Sequence, residues 1–313
     1  MFLIPFSVVE GAIVYANLLT LLCLGLTITY ITTRVPNFAQ GSLAIIGSYI
    51  AWTLLHVCGL HPYLSIPVTF LIGGVVGLLA YTIILKPLVR KGVSTLMLMI
   101  STLGLDLILI GILGAYADYI GIVTRKIATK FIFTYLDFSI GTISAVLLVS
   151  CIIIIILLIS LFLLLYKTKF GVALRASVEN SFLAETLGVN TEYVRLFSWF
   201  LSGALAGVAG CLLPFKQEIY PAAGPIVLPS IFAASIVGGF ESIYGALVGA
   251  YLIGFSETLI THVLSIPFGP GMLAYSRAVS LAALIITLVV APQGLMGINW
   301  RKVLEKFFKV KLI

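Results

Sequence analysis

Two carboxylic acids, Asp106 and Glu257, are the side chains best placed to do chemistry in this sequence. Each lies in a run of about 20 residues that is otherwise almost free of charge. A charge at the centre of a bilayer costs about 2.5–3.5 kcal/mol on insertion scales, so each acid should face the interior of a helix bundle or water. Two interpretations stay open for both: a residue of a transport or proton pathway, or a buried acid that is neutral or hydrogen-bonded to a neighbouring helix.

The common signatures of enzymatic chemistry are absent from the sequence. It contains no GxxxxGK[ST] motif for ATP, no HExxH zinc motif and no GxSxG nucleophile elbow. Its three histidines are scattered, and its four cysteines lie in or beside apolar runs without CxxC spacing, as small hydrophobic residues do. We therefore expect no catalytic residue, no metal site and no bound cofactor, so that energy for any active process must come from another protein.

The amino-acid composition indicates a membrane protein. Hydrophobic residues make up 61% of the 313 residues and charged residues only 9%, and the mean hydropathy is +1.21. A soluble domain could not cover that much apolar surface. Apolar segments of about 20 residues, the length of a helix that crosses a bilayer, recur along the chain. We predict an all-α polytopic integral membrane bundle, folded as a single transmembrane domain over residues 1–313.

About nine membrane spans are predicted, within a range of eight to ten. They cover residues 11–33, 39–58, 63–85, 95–115, 142–166, 194–214, 226–240, 243–262 and 277–297. The span at 226–240 is short, and whether it crosses fully is open. The first residues lack the basic region of a secretory signal peptide, so we expect the first span to persist in the mature protein.

The distribution of Lys and Arg predicts the orientation, because basic loops are retained in the cytoplasm. With nine crossings and a cytoplasmic C-terminus, thirteen of the 18 basic residues lie on the inner face. If residues 226–240 returned to the face they came from, the basic tail 299–313 would lie outside, so we count them as a crossing. The loops 116–141 and 214–229 are then external. The net charge of +7 suits loops near anionic lipid and requires no nucleic acid.

A polar segment at residues 167–192 separates two apolar spans and is predicted to be cytoplasmic. On a helix with about 100° per residue, its apolar residues form two patches on nearly opposite sides. One patch contains Leu174, Val178 and Phe182, and the other contains Ala176, Leu183 and Leu187. Two patches favour a segment held between two protein surfaces, whereas a solvated loop helix is the alternative. Gly188 and Asn190 predict its end, and Ser177, Asn180 and Ser181 would alternatively divide it into two short helices.

Two breaks in the apolar pattern predict irregular backbone near the membrane. Pro36 and Asn37 separate the first two spans, and Gly238 and Gly239, followed by Glu241, separate the seventh and eighth. Lipid offers backbone groups no hydrogen bonds, so such segments must be buried in protein or line water. We therefore expect both breaks to form walls of a transport pathway.

Small residues recur with a spacing of four. The pairs are Gly73 and Gly77, Gly203 and Gly207, Ala206 and Gly210, and Gly245 and Gly249. This spacing lets the backbones of membrane helices approach closely. A tightly packed bundle and a gating role are both compatible with it.

The polar segment also resembles part of a known family. The run TKFGVALRASVENSFLAETLGVNTEYVRLFSWFLSGALAGVAGCLL closely resembles the permease subunits of ATP-binding-cassette importers for branched-chain amino acids. Further matching motifs occur in order along almost the whole chain: VPNFAQGSLAIIGSY, ILKPLVRKGVSTLMLMISTLGL, IVGGFESIYGALVGAYLIGFSETL and LVVAPQGLMGI. The resemblance implies a permease subunit that forms the translocation pathway for such amino acids, or for a related small polar solute, delivered by a binding protein.

In that family the cytoplasmic segment is a coupling element that seats in a groove of the ATPase subunit. The resemblance implies such an element over residues 168–190, with the matching positions Gly171, Arg175, Ala176, Glu179, Leu187, Gly188 and Asn190. The implied partners are a homologous permease in a homo- or heterodimer, two cytoplasmic ATPase subunits that use ATP, and an extracytoplasmic substrate-binding protein on the two external loops. The implied location is the cell membrane.

Seven positions are candidates for the pathway: Asn37, Gln40, Gly41, Asp106, Gly238, Gly239 and Glu257. Three positions depart from the family pattern, because Gln40 replaces its usual histidine, Asp106 a small neutral residue and Glu241 a glycine. These changes leave the substrate open among a branched-chain or other amino acid, an amide and urea. The alternative function is an ion-coupled secondary transporter that uses Asp106 and Glu257.

Overall fold

The computed structural model describes residues 5–291 and 294–297, so the predicted basic tail at 299–313 lies outside the described residues. Helices make up nearly all of this part. They are α1 Phe6–Thr33, α2 Gln40–Val57, α3 Ile66–Ala80, α4 Lys86–Arg90, α5 Thr95–Thr124, α6 Ala145–Lys167, α7 Lys169–Glu179, α8 Ser181–Thr186, α9 Thr191–Leu212, α10 Gly224–Gly238, α11 Ile243–Phe268 and α12 Ser276–Val290. A two-stranded antiparallel hairpin pairs β1 Ser139–Ile140 with β2 Ile143–Ser144.

Each of the nine predicted spans coincides with a helical segment. Seven of these segments are long and apolar enough to cross a bilayer, including Pro62–Arg90, in which α3 continues through a π-helical turn into α4. The remaining two are α2, with 18 residues, and α12, with 15. The chain is therefore a multi-pass helical membrane protein, while the count of nine crossings stays a prediction.

Two helices extend into segments that the sequence predicted as external loops. Helix α5 continues to Thr124 instead of ending near residue 115, because the added residues are mostly apolar and the helix stops where Arg125 takes a left-handed conformation with φ of 54°. Helix α10 begins at Gly224, with Pro225 in its first turn, where a missing N–H is tolerated. The short β-hairpin lies at residues 139–144, at the end of the predicted external loop 116–141.

Helix α1 is the centre of the bundle. In its apolar window 83% of the residues are buried, compared with 33% in α5 and 22% in α6. It packs against α6, α9, α10 and α11, so α1 lies inside the protein, whereas α5 and α6 present much of their surface outward. Hydrophobicity alone does not distinguish these helices, because lipid and protein interior both favour apolar side chains.

Closely spaced small residues join the central helices, which confirms the packing expected from their spacing. A Cβ atom placed on Gly203 of α9 would lie 2.3 Å from the Gly73 carbonyl oxygen of α3, and one on Gly77 would lie 2.4 Å from the Trp199 oxygen. A Cβ on Gly210 would lie 1.7 Å from the Ala44 oxygen of α2. Helix α9 therefore touches α2 and α3 backbone to backbone, and only glycine fits at these crossings.

The break at Pro36 and Asn37 lets α2 begin deep in the bundle. The Gln40 side chain, at the first turn of α2, donates from Nε2 to the Leu22 carbonyl oxygen at 3.4 Å. Leu22 precedes the end of α1 at Thr33 by about three helical turns, roughly 16 Å along the helix axis. Helix α2 therefore starts near the middle of α1 rather than at its end.

Ion pairs join loops that the distribution of Lys and Arg predicted to lie on the same face. Arg34 pairs with Glu241, and Lys86 and Arg90 both pair with Glu192. At the opposite end Lys130 pairs with Glu218 at 2.7 Å. The first group joins segments predicted to be cytoplasmic and the second joins the two predicted external loops, so the assignment of loops to two ends agrees with the structure.

Candidate translocation pathway and coupling surface

A cluster of buried polar side chains surrounds the start of α2. Asn37 donates from Nδ2 to the Gln40 Oε1 atom at 3.1 Å, and Ser202 of α9 donates to the same oxygen at 3.0 Å. Asn37 Oδ1 also accepts from the Ala39 N–H at 3.1 Å. Asn37, Gln40 and Ser202 are all completely buried. Asn37 thus satisfies one backbone N–H of the irregular segment that the sequence predicted at this break.

Helix α10 also begins at this cluster. A Cβ atom on Gly41 would lie 2.2 Å from the Gly224 carbonyl oxygen, and one on Gly224 would lie 2.5 Å from Ser42 Oγ. Gly41 lies in the first turn of α2, and Gly224 is the first residue of α10. Two helix N-termini, each with a partial positive charge, therefore meet in the interior of the bundle.

Asp106 lies beside this meeting point. Ser42 Oγ donates to Asp106 Oδ1 at 2.5 Å, and Asp106 is only 6% exposed. One turn earlier on α5, Thr102 donates to the Pro36 oxygen and accepts from the Phe38 N–H, both at 3.3 Å. Helix α5 is thus bonded to both sides of the α1–α2 break, and the structure brings together four of the predicted pathway residues: Asn37, Gln40, Gly41 and Asp106.

Glu257 lies in a separate cluster near the opposite end of α1. Its carboxylate accepts from Ser230 Oγ of α10 at 2.8 Å and from Ser280 Oγ of α12 at 2.6 Å. Tyr15 of α1 donates at 3.3 Å, and Arg277 Nη1 lies 3.5 Å away. Four helices are therefore tied to one buried carboxylate, as in the second interpretation of this acid. Sequence analysis missed its four partners, because their distances along the chain leave no local pattern.

Gly238 and Gly239 occupy a tight helix junction far from the Gln40 cluster. A Cβ atom on Gly238 would lie 1.9 Å from the Gly245 oxygen, and one on Gly294 would lie 2.5 Å from the Gly239 Cα atom. Gly239 ends α10 with φ of 110°, a conformation that residues with a Cβ rarely adopt. Both glycines therefore have a packing role in the turn between α10 and α11.

The polar segment forms two short helices, as the alternative interpretation of Asn180 required. Thr168 caps α7 by accepting from the Gly171 N–H at 3.3 Å, and Asn180 caps α8 by accepting from the Leu183 N–H at 3.0 Å. Asn190 caps α9 in the same way, accepting from the Tyr193 N–H at 3.0 Å. Each helix starts at a residue type that favours the N-cap position.

Two predicted coupling residues fix the junction between α6 and α7. A Cβ atom on Gly171 would lie 1.9 Å from the Leu165 carbonyl oxygen. Arg175 donates from Nη1 to the same oxygen at 2.5 Å, and its guanidinium carbon lies 5.3 Å from the centre of the Tyr166 ring. Arg175 therefore binds an otherwise free carbonyl at the end of α6. Ala176, the next residue of α7, is half-buried, and its carbonyl oxygen accepts from the Asn180 N–H at 3.1 Å.

Large apolar side chains of the polar segment are exposed, beside polar ones such as Glu185 and Thr186. Phe182 is 77% exposed, Leu183 55% and Leu187 75%, while Leu174 is buried against the bundle. Phe182 thus lies outside the patch that the helical projection gave it, because the chain bends at Asn180 and no single helix continues through the segment. Glu179 is exposed, and Gly188 ends the exposed stretch with φ of 85°.

The two predicted external loops are joined to each other. Phe131 and Ile219 exchange backbone hydrogen bonds, and the Phe133 N–H donates to the Pro214 oxygen at 2.8 Å. Lys216 lies half-buried between them, and loss of hydration lowers the pKa of its ammonium group, against the opposing effect of Glu10 and Asp137. These contacts make one continuous surface from loops about 80 residues apart in sequence.

Sequence comparison decides the family. A family model described as the permease component of the branched-chain amino acid transport system matches residues 8–288. The chain belongs to this family. The probable branched-chain amino acid transport permease protein LivH of Methanocaldococcus jannaschii is 57% identical over 295 residues, covering 94% of this chain and 93% of the relative. This branched-chain amino acid permease family consists of transport subunits, in agreement with the resemblance found in the sequence.

More distant relatives also match most of this chain. The high-affinity branched-chain amino acid transport system permease protein LivH of Escherichia coli K12 is 28% identical, covering 88% of this chain and 90% of the relative. The solved structure of PsaBC from Streptococcus pneumoniae in complex with Fab matches with a TM-score of 0.48 and 16% identity, over 92% of this chain and 93% of that chain.

Proposed function

We propose that the chain is the membrane-spanning permease subunit of an ATP-binding-cassette importer and that its substrate is a branched-chain amino acid. The observation that supports this most directly is the family match over residues 8–288, together with 57% identity to LivH of Methanocaldococcus jannaschii. In this proposal two separate cytoplasmic ATPase subunits bind and hydrolyse ATP. The permease itself binds no cofactor, and it pairs with a homologous permease to enclose the pathway.

The meeting point of α2 and α10 is the proposed substrate-contacting part of the pathway. In many transporters the site lies near the bilayer midplane, where the N-termini of discontinuous helices face anionic groups of the substrate. Here the N-termini at Gly41 and Gly224 would attract the carboxylate of an amino acid. Asp106, beside them, would attract its ammonium group. Asn37 and Gln40 hold the break in position, while Glu257, Gly238 and Gly239 support the helices at either end.

Helices α7 and α8 are the proposed coupling surface. The exposed apolar side chains of Phe182, Leu183 and Leu187 suit a groove on an ATPase subunit, because an apolar surface of this kind gains most from being covered by protein. Glu179 and Gly188 would border the contact. Gly171 and Arg175 would act inside the permease by fixing α7 to α6, so that movement of α7 is passed to the bundle.

The proposed orientation places α7, α8 and the C-terminus in the cytoplasm of a cell-membrane protein. Most basic loops then lie inside, as membrane insertion favours. The continuous surface that the two external loops form, over residues 125–144 and 213–223, would face outward and bind a substrate-binding protein. Closure of the ATPases on ATP would then favour one of two bundle conformations through α7, which opens the pathway to alternate sides.

Reconstituted transport tests this function. The permease pair, its ATPase subunits and the binding protein are placed in proteoliposomes, and leucine uptake is measured with and without ATP. We expect uptake to require ATP and the binding protein and to persist when ion gradients are abolished. Uptake that needs neither protein partner and stops when the proton or sodium gradient is removed would instead establish the ion-coupled alternative through Asp106 and Glu257.

The coupling surface is tested by exchanging exposed leucines. Leu187→Ser should reduce co-purification of the ATPase and the ATP turnover stimulated by substrate, because Leu187 is 75% exposed on the proposed contact. The matched control is Leu96→Ser, since Leu96 is 67% exposed in the first turn of α5, at the same end of the bundle. Equal results for both variants would contradict the assignment of α8 to the ATPase contact.

A further inference from the structure

A cleft of about 610 Å³ opens between α6 and α11 at the end of the bundle that carries α7. Most of its wall is apolar. Its apolar lining includes Leu161 and Leu165 of α6, Ile243 and Leu247 of α11, Ile31 of α1 and Leu174 of α7. This volume lies within the range of about 300–1,000 Å³ that is typical of small-molecule sites. The cleft is therefore large enough for a ligand with an apolar body.

The polar side chains that line the cleft lie where α6 ends and α11 begins, beside α7, and we call this end of the cleft its mouth. The Tyr244 hydroxyl donates to the Tyr166 hydroxyl at 3.0 Å, and Arg175 lies with its guanidinium carbon 5.3 Å from the centre of the Tyr166 ring. One N–H of Arg175 is bonded to the Leu165 oxygen, and a guanidinium has further N–H groups to offer a ligand. A cation and two phenolic hydroxyls thus converge at one end of an apolar cavity.

Two acids also border this mouth, and their surroundings differ. Glu241 pairs with Arg34 across the turn between α10 and α11. Glu179, at the end of α7, is exposed and makes no ion pair within residues 5–291 and 294–297. The mouth therefore presents one arginine and one carboxylate to a ligand, a pattern that suits a group with both a negative and a positive charge.

The position of the cleft identifies the source of such a ligand. Its α6 wall belongs to an apolar membrane span, and two of the side chains that line it are well exposed, Ile159 by 56% and Phe162 by 48%. We therefore expect the cleft to open sideways toward the bilayer. Its charged groups lie where the apolar span α6 ends at Lys167, the level at which lipid headgroups are expected. Arginine matches a phosphate group well, through parallel N–H donors.

We propose that this cleft binds one membrane phospholipid, with an acyl chain in the apolar part, the phosphate on Arg175 and an ammonium headgroup near Glu179. The lipid would contact α6, α11 and the buried side of α7 at once. It would therefore hold α7 against the bundle from the side opposite to its exposed surface. Binding requires only that the chain sits in a bilayer, so it is independent of which solute the permease transports.

Photo-cross-linking of the full-length chain in nanodiscs tests the site. The probe is a phosphatidylethanolamine with a diazirine in one acyl chain, and cross-linked peptides are mapped by mass spectrometry. We expect cross-links within residues 158–166 and 243–247. Leu247→Trp should fill the cleft and remove them. The same change at Leu252, on α11 outside the cleft and 46% exposed, should leave them intact.

Competition with unlabelled lipids tests the headgroup contacts. Arg175→Gln should weaken competition by phosphatidylethanolamine roughly tenfold or more, the usual effect of losing one charge-assisted hydrogen bond. Lys167→Gln, which removes a charge from an exposed side chain at the same end of α6, should have little effect. If Arg175→Gln loosens α7, the comparison of Leu247→Trp with Leu252→Trp still tests the acyl-chain site, because both leucines lie on α11 and not on α7.

Several results would overturn the proposal. Cross-links spread over the outer faces of α5 and α6, and unchanged by Leu247→Trp, would mean that the cleft holds no lipid. If diacylglycerol competed as well as phosphatidylethanolamine, the proposed phosphate contact with Arg175 would be wrong. If phosphatidylglycerol competed equally well, the proposed ammonium contact with Glu179 would be wrong. If a bifunctional protein cross-linker joined the C-terminal residues 298–313 to the cleft, and the lipid probe gave no cross-links there, the cleft would be assigned to the chain's own tail.

Discussion

Replacing Glu257 with alanine should destabilise the bundle more than any surface charge does. The lost carboxylate accepts from Ser230 at 2.8 Å and from Ser280 at 2.6 Å, and these two serines are 0% and 1% exposed. A buried donor left without an acceptor costs about 1–3 kcal/mol. Arg277 adds less, because its side chain is 29% exposed and also donates to Gln217. The two serines give an expected loss of about 2–6 kcal/mol.

Thermal unfolding of the purified permease in detergent, followed by circular dichroism, measures this loss. One kcal/mol corresponds to a shift in Tm of about 2–4 °C for a chain of 150–250 residues and to a somewhat smaller shift for a longer one. The matched control is Glu241→Ala, since Glu241 is 65% exposed and pairs with an Arg34 side chain that is 49% exposed. Such a surface pair contributes about 0–1 kcal/mol.

The comparison of these variants decides whether the argument holds. Glu257→Gln should fall between the wild type and Glu257→Ala. Both serines donate to the same oxygen, Oε2, whose place a glutamine carbonyl oxygen can take, whereas the ion pair with Arg277 is lost. If Glu257→Ala lowered Tm no more than Glu241→Ala does, the serines would have to find other acceptors. The view of Glu257 as the point that ties α1, α10, α11 and α12 together would then be refuted.

Two further predictions concern the packing and the coupling segment. Gly203→Ala should destabilise the chain by about 1–3 kcal/mol in the same assay, since the new Cβ would lie 2.3 Å from the Gly73 carbonyl oxygen. The control is Gly104→Ala, which has open space around it and should be neutral or stabilising by up to about 1 kcal/mol. Equal shifts would contradict the close contact of α3 and α9. Asn180→Ala should remove the N-cap of α8, which contributes about 0.5–2 kcal/mol, and should lower co-purification of the ATPase. Asn180→Ser, the control, should retain the cap and the co-purification. Unchanged co-purification with Asn180→Ala would show that α8 is not needed for the ATPase contact.

Hydrophobic runs, together with the helix-breaking residues between them, were enough to predict the class of fold. Runs of about 20 apolar residues predict membrane helices because the thickness of the hydrocarbon fixes their length. The break before Gln40 and the glycine turn at Gly239 were predicted for a similar reason, since proline and glycine interrupt helices locally. Boundaries were less predictable. Helix α5 continues past residue 115 because apolar residues outside the bilayer form helix as readily as those inside it.

Long-range pairing limited the prediction of the site. Asp106 and Gln40 were both recognised as candidates, yet their proximity depends on α2 starting midway along α1. Arg175 was recognised as part of the coupling segment, but its bond to Leu165 turns it toward the permease rather than outward. The helical projection failed for Phe182, because it assumed one continuous helix where a cap at Asn180 starts a second.

The sequence by itself determined that this chain is a helical membrane permease, because hydropathy, basic loops and family motifs are all properties of short stretches. It also determined where the helices break and which glycines allow close packing. The tertiary structure alone decided what lies opposite each of those features: Gly224 beside Gly41, Ser230 and Ser280 around Glu257, and a cleft between α6 and α11. The physical reason is that these contacts join residues far apart in the chain, and their geometry depends on how all the helices pack together.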